Sequence, residues 1–313
     1  MPEKPTIVSH MVTATFGLWF PFFRWMARTL PPLWVARLAE ATAERAIWER
    51  ERVREAILDN FAAVLDLPKS DRRVERAGRE MVSRHSRFWI DLLRYAGRPG
   101  LHPRSLVRER IGDEHLLGAQ AEGRGAVLLT AHVGNFELGG LFLKDLGLDA
   151  YVVYVPDPSR VIEAHRESAR RFLGVKGIPV TSSPFSFVPI LAALKKNGFV
   201  AIQGDRDVSG TGLRFPFFGR SASFPFGPFR LAQVSGAPVI PVFVLQDEDW
   251  RYRTVVHPAI RIPPAAGPHV AHGDSGDPRL RTAMETFVGV MARTIRENPT
   301  QWYLFTRFWE DGD

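Results

Sequence analysis

The chain has 313 residues, 45% of them hydrophobic and 24% charged, with glycines and prolines scattered without a repeat period; this is material for one large α/β domain or two smaller ones and excludes a disordered or repeat protein. The absence of cysteine excludes disulfides, thiolate metal sites and a cysteine nucleophile, and fits a reducing compartment. A net charge of +7 points to an anionic partner: a phospholipid surface, an acidic protein or nucleic acid.

Residues 5–23 carry no Asp, Glu, Lys or Arg, and "FGLWFPFFRWM" crowds Phe16, Trp19, Phe20, Phe22, Phe23 and Trp25 beside Arg24 and Arg28. The run is short and polar for a membrane span, and it lacks the frame of a secretory signal. Rings next to arginines suit an interfacial anchor in the lipid head-group region; the alternative is an aromatic helix packed on the protein's own core. Helical apolar spacing follows over residues 42–65, ending before Pro68, and again over 70–95, where arginines interleave with acids as on a solvated helix face.

From Gly125 the texture changes. "AVLLTA", "AYVVYV", "GFVAIQ" and "APVIPVFVL" read as strands buried on both faces, with helices between them at about 136–146, 159–173, 186–196 and 227–235. "WRYRTVVHPAIRI" alternates as a late strand, read as a sheet edge; residues 263–278 read as an exposed loop and 280–297 as a last helix. The expected fold class is α/β: a mixed, mostly parallel central sheet covered by helices, with a helical N-terminal part and a membrane-interacting N-terminus.

Ligand sites in such sheets lie off the carboxyl ends of strands, where His132 falls. Its pKa range suits proton abstraction, and a carboxylate on the other ring nitrogen would fix its tautomer. Glu137, five positions on, is one source of that carboxylate. The same stretch also reads as a strand running into a helix, with Asn135 as cap and Glu137 in the first turn. Asp205, Arg206 and Asp207 follow a second strand, and Phe215, Phe217, Phe218, Phe224, Phe226 and Phe229 crowd the segment beyond. A polar turn beside an aromatic wall suits a substrate with a charged head and a hydrocarbon tail, or is an ordinary turn leading to core aromatics.

"AHVGNFELGG", the Asp205–Asp207 turn, "FPFFGRSASFPFGPFRLA" and "NPTQWYLFTRFW" resemble, in order, the late acyltransferases of lipid A biosynthesis, within the wider lysophospholipid acyltransferase group. The resemblance covers most of the chain from about Met11. It implies transfer of a fatty acyl group from acyl carrier protein or coenzyme A to a lipid hydroxyl, with no metal or other cofactor. His132 would be the general base and Glu137 its orienting partner. Arg170, in "RRFLG", matches a family arginine and would bind phosphate or the developing oxyanion, with Arg171 its close rival. Asn135, Asp205, Arg206, Asp207, Phe218 and Gly219 would contribute to substrate binding. Residues 1–40 would be the membrane-interacting anchor and 41–313 a single acyltransferase domain, helical over 41–120 and α/β over 121–313. Acyl carrier protein and anionic membrane lipid are the implied partners, and the cytoplasmic face of a bacterial inner membrane the implied location.

Phe305 and Thr306 depart from the family's closing block, where an aromatic is often followed by histidine, and the "FPEGTRS"-type block of the glycerolipid acyltransferases is absent. Nucleic acid drops in rank because no binding module accompanies the charge. An N-acyltransferase or thioesterase with the same dyad, and a non-catalytic membrane-binding protein, remain as alternatives. A serine hydrolase is disfavoured by the lack of a G-x-S-x-G elbow.

Overall fold

Residues 22, 25–95, 105–157, 159–180, 185–207, 210–264 and 277–309 are described by a computed structural model. Helices α1 (Pro32–Trp48), α2 (Glu51–Leu65) and α3 (Arg72–Tyr95) come first. The run expected as one helix over 42–65 breaks at Arg50, whose backbone is extended, so that α2 turns and packs Ile57 and Phe61 against Val74, Met81 and Phe88 of α3. The tertiary contact wins over local spacing that reads straight through the break.

Next come β1 (Val107–Ile111), α4 (Asp113–Glu122), β2 (Ala126–Thr130), a 3₁₀ turn (Phe136–Leu138), α5 (Gly139–Asp145), β3 (Ala150–Tyr154), α6 (Arg160–Leu173), β4 (Lys176–Pro179), α7 (Val188–Lys195) and β5 (Phe199–Gln203). The chain continues through β6 (Leu213–Phe217), β7 (Arg220–Phe224), α8 (Gly227–Ser235), β8 (Val239–Gln246), β9 (Tyr252–Val256), α9 (Pro278–Glu297) and a 3₁₀ turn at Pro299–Gln301. Seven strands form one sheet in the order β1-β9-β8-β2-β5-β3-β4, parallel except where β9 runs against β8, and β6–β7 is a separate hairpin. The mixed, mostly parallel sheet is thus present. β9 is not an edge: β1, which falls inside the stretch expected to be helical, pairs outside it. β1 reads "VRERI", three charges in five residues, and carries no buried-strand signal.

β2 explains the layering. All five of its residues are buried, Val127 and Leu129 facing α7, α8 and α9, Ala126 and Leu128 facing α4 and the end of α5. A strand covered on both faces loses the alternation of a half-exposed one and reads as a continuous apolar run.

The expected anchor lies mostly outside the described residues. Residues 25–29 are helical, and Ala27 with Val35 and Ala36 of α1 packs against Ile90 and Leu93 of α3, while Trp25, Trp34 and Leu38 stay exposed. Residue 40, the expected boundary, lies within α1. Among the described residues, no helix is long and apolar enough to cross a membrane.

Candidate active site

His132 stands two residues beyond the end of β2, and Asp205 two residues beyond the end of β5. The two strands are parallel neighbours in the register Thr130↔Gln203, so equal overruns bring the two side chains together. His132 Nδ1 lies 2.9 and 3.1 Å from the two Asp205 carboxylate oxygens, and the His132 backbone N–H donates to Oδ2 at 3.0 Å. Trp302 Nε1 adds a third donation at 3.2 Å. Asp205 is fully buried. Burial alone would raise its pKa, but the attraction of the His132 ring whenever it is protonated and the hydrogen bonds from it outweigh that and hold the carboxyl at about 2. An ionised carboxylate only accepts, so this network assigns the proton to Nδ1 and leaves Nε2 with its lone pair.

The loop after β2 is held by the C-terminal segment. Gly134 N–H donates to Gln301 O and Tyr303 N–H to His132 O, at 2.9 and 2.8 Å, which puts Trp302 within reach of Asp205. Gly134 has φ +64°, and a Cβ there would stand 2.0 Å from Val244 O, so only glycine fits.

The expected pairing of Glu137 with His132 is replaced. The short 3₁₀ turn carries Glu137 toward α6, where Arg166 meets it at 3.2 Å; the carboxylate on His132 is Asp205's. Arg170 is buried, 3.3 Å from Glu163 and with its guanidinium 3.7 Å from the centre of the Tyr154 ring. Both arginines, with Glu137, His132 and the exposed Arg206, border a cavity of about 570 Å³. The rest of its wall is largely apolar, with Leu128, Phe142, Leu146, Val152, Ala201 and Val242 from the sheet and α5.

The other residues singled out in the sequence fall elsewhere. Asn135 is buried and donates to Phe88 O and to the Tyr252 hydroxyl, at 3.4 and 3.2 Å, tying the 3₁₀ turn to α3 and β9. Arg171 points to solvent on the outer face of α6, 3.8 Å from Glu167. Asp207 accepts from Gly210 N, Gly212 N and Ser223 Oγ at 3.1, 2.7 and 2.8 Å, which steadies the entry to the hairpin. Phe218 and Gly219 form the two-residue turn of that hairpin, both at positive φ, with the Phe218 ring against Trp302. Arg166 and Trp302 were not expected. Arg166 sits one turn before Arg170 on the same helix face, a signal open to sequence reading; the reach of Trp302 to Asp205 depends on folding alone.

No group of three or more His, Asp or Glu able to hold a metal occurs among the described residues. The arrangement offers a base with an oriented free nitrogen, cations beside it and an apolar chamber behind. Over 99% of this chain and 92% of the relative, it is 27% identical to a phosphatidylinositol mannoside acyltransferase of Mycobacterium tuberculosis. The Mycolicibacterium smegmatis protein of the same name is 26% identical over 82% of this chain and 79% of its own. A lipid A biosynthesis acyltransferase of Haemophilus influenzae is 26% identical over 49% of this chain and 48% of its own. The sequence profile of the bacterial lipid A biosynthesis acyltransferases matches residues 1–311, and the chain belongs to that family of lipid acyltransferases.

Proposed function

We propose that the protein transfers a fatty acyl group from a thioester, on acyl carrier protein or coenzyme A, to a hydroxyl of a membrane glycolipid. The observation that carries this reading is His132, held at Nδ1 by Asp205 with Nε2 free, beside a largely apolar cavity. His132 Nε2 takes the proton of the acceptor hydroxyl as its oxygen attacks the thioester carbonyl. The ester C–O bond forms, the C–S bond breaks, and the thiolate leaves with the proton from His132. Asp205 keeps the imidazolium oriented and charge-balanced throughout.

The chamber suits an acyl chain. Its wall draws on strands from β3 to β1, five inter-strand steps apart in the sheet, or about 24 Å at ~4.8 Å per step. Arg206, and Arg166 beside Glu137, supply positive charge for a phosphorylated donor or acceptor. The relatives that match nearly the whole chain are named for a phosphatidylinositol mannoside, which favours an acceptor built of sugar and phosphate on a lipid. The exposed Trp25 and Trp34, together with the net charge of +7, support work at an anionic membrane surface, on the cytoplasmic side where acyl thioesters are available, and docking of an acidic carrier protein.

The test supplies purified protein with a radiolabelled acyl thioester and a total lipid extract, wild type beside His132→Ala. Label entering a lipid only with wild type supports the reading. Equal transfer by both proteins, or release of free fatty acid alone, overturns it.

A further inference from the structure

The cavity carries a second histidine. His85, on α3, borders the same chamber as His132, and its ring takes no hydrogen bond among the described residues. Four aromatic rings surround it, with centroids at 5.8 Å (Phe88), 6.4 Å (Trp89), 5.1 Å (Tyr303) and 4.7 Å (Phe305). Tyr303 is the residue whose backbone N–H is bonded to His132 O, so the ring that packs on His85 is attached to the loop of the general base. Phe88 packs in turn on Phe136, whose ring is 5.6 Å from that of His132. Two imidazoles thus share one aromatic-lined mouth.

Burial among these rings, with a smaller contribution from the neighbouring His132, lowers the His85 pKa to about 4 and leaves its ring neutral at neutral pH. A neutral imidazole still has one N–H to give. Its surroundings ask only for an aromatic ring: phenylalanine would pack there without a polar atom to satisfy. A donor kept among aromatic rings, open to the cavity and without a protein partner among the described residues, is matched when a ligand supplies the acceptor.

We propose that His85 is a catalytic residue that donates a hydrogen bond to the thioester carbonyl oxygen as it becomes an oxyanion. The assignment rests on the acyl-transfer reading above. That reaction develops negative charge on one oxygen and needs a preorganised donor for it. His132 is occupied with the acceptor's proton, Arg166 and Arg170 are cations whose charge is balanced by Glu137 and Glu163, and Arg206 is exposed to solvent. His85 is uncharged, so it does not suppress protonation of His132 as a nearby cation would.

The test compares His85→Phe, which keeps the aromatic packing, with His85→Gln, which keeps a donor, following thiol release from palmitoyl-coenzyme A or palmitoyl-acyl carrier protein with a total lipid extract as acceptor. Circular dichroism and melting temperature establish folding, and His85→Met replaces the phenylalanine variant if that one does not fold. Loss of a donor used only in the transition state lowers kcat about 10²–10³-fold with KM for the thioester within about twofold, and glutamine restores at least about tenfold of the loss. A folded apolar variant with wild-type kcat overturns the proposal, as does a loss confined to KM. His132→Ala in the same assay separates the two claims: turnover unchanged by it sinks the acyl-transfer reading itself, whatever His85 does.

Discussion

Asp205 is a single carboxylate that receives the ring and backbone N–H of His132 and the indole N–H of Trp302. Asp205→Asn keeps the shape but offers an amide where the ring N–H needs an anion, so it loosens the tautomer and the imidazolium. We expect kcat to fall about 10²–10⁴-fold with KM little changed, measured by thioester turnover. The pH dependence of stability follows from the sign of the shift. The folded-state pKa of Asp205, about 2, lies below its ordinary value, so its contribution is fully present above about pH 4 and is lost as pH falls toward 2. Asp91 behaves oppositely. It is fully buried between Arg87 and the Tyr252 hydroxyl, and burial, only partly offset by the charge of Arg87, raises its carboxyl to about 6. Its protonated form favours the folded state, an effect complete below about pH 4 and lost as pH rises through 6. Chemical denaturation of Asp91→Asn between pH 4 and 7 should therefore show a shallower decline than wild type; an unchanged slope would refute the assignment. Glu137 and Arg166 act as a unit across the mouth, so the losses in kcat/KM of Glu137→Ala and Arg166→Ala should not add in the double variant.

The elements around the site are joined by backbone more than by side chains. The loop after β2 pairs with residues 301–303, and Gly134 lets it pass under Val244. Gly134→Ala forces a positive φ on alanine and drives its Cβ into a carbonyl oxygen. A destabilisation of at least roughly 1–3 kcal/mol is expected in urea unfolding, with loss of activity at temperatures where the variant remains folded. Between the sheet and α5, Ala201 of β5 borders the cavity with the smallest side chain that has a Cβ. Ala201→Leu fills part of the chamber, and competition among saturated acyl thioesters should shift selectivity toward shorter chains while leaving the shortest chains turned over at wild-type rates. Unchanged selectivity would place the acyl chain elsewhere.

At the scale of the whole molecule, the N-terminal helical segment is bound to α3 through Ala27, Val35 and Ala36 and presents Trp25 and Trp34 outward, 56% and 76% exposed. Exposed indoles on a basic protein suit the head-group layer of an anionic bilayer. Replacing both with serine should weaken sedimentation with anionic vesicles about tenfold or more, leaving turnover of a detergent-dispersed substrate unchanged. A matching loss with neutral vesicles would separate ring burial from charge attraction, because only the former remains on a neutral bilayer.

Much of this architecture was legible in the amino-acid order because its signals are local. "AVLLTA" and "APVIPVFVL" are strands because a strand buried on both faces needs an unbroken apolar run, and α8 and α9 lie close to where their spacing places them. Strand β1 was not legible: its charged side chains suit a partly exposed sheet edge, and only pairing with β9 makes it a strand. The same division runs through the site. Position beyond a strand end singled out His132 and Asp205 separately, and the resemblance to known acyltransferases tied Glu137 to the histidine. Which carboxylate meets the ring was decided by the pairing of β2 with β5, which brings together residues 73 positions apart, while the turn at Phe136–Leu138 delivers Glu137 to Arg166. Sequence by itself determined the layers and the family, and singled out His132 as the candidate base. Tertiary structure decided the partners of each charged group, because strand order and register are set by long-range packing that no local window contains.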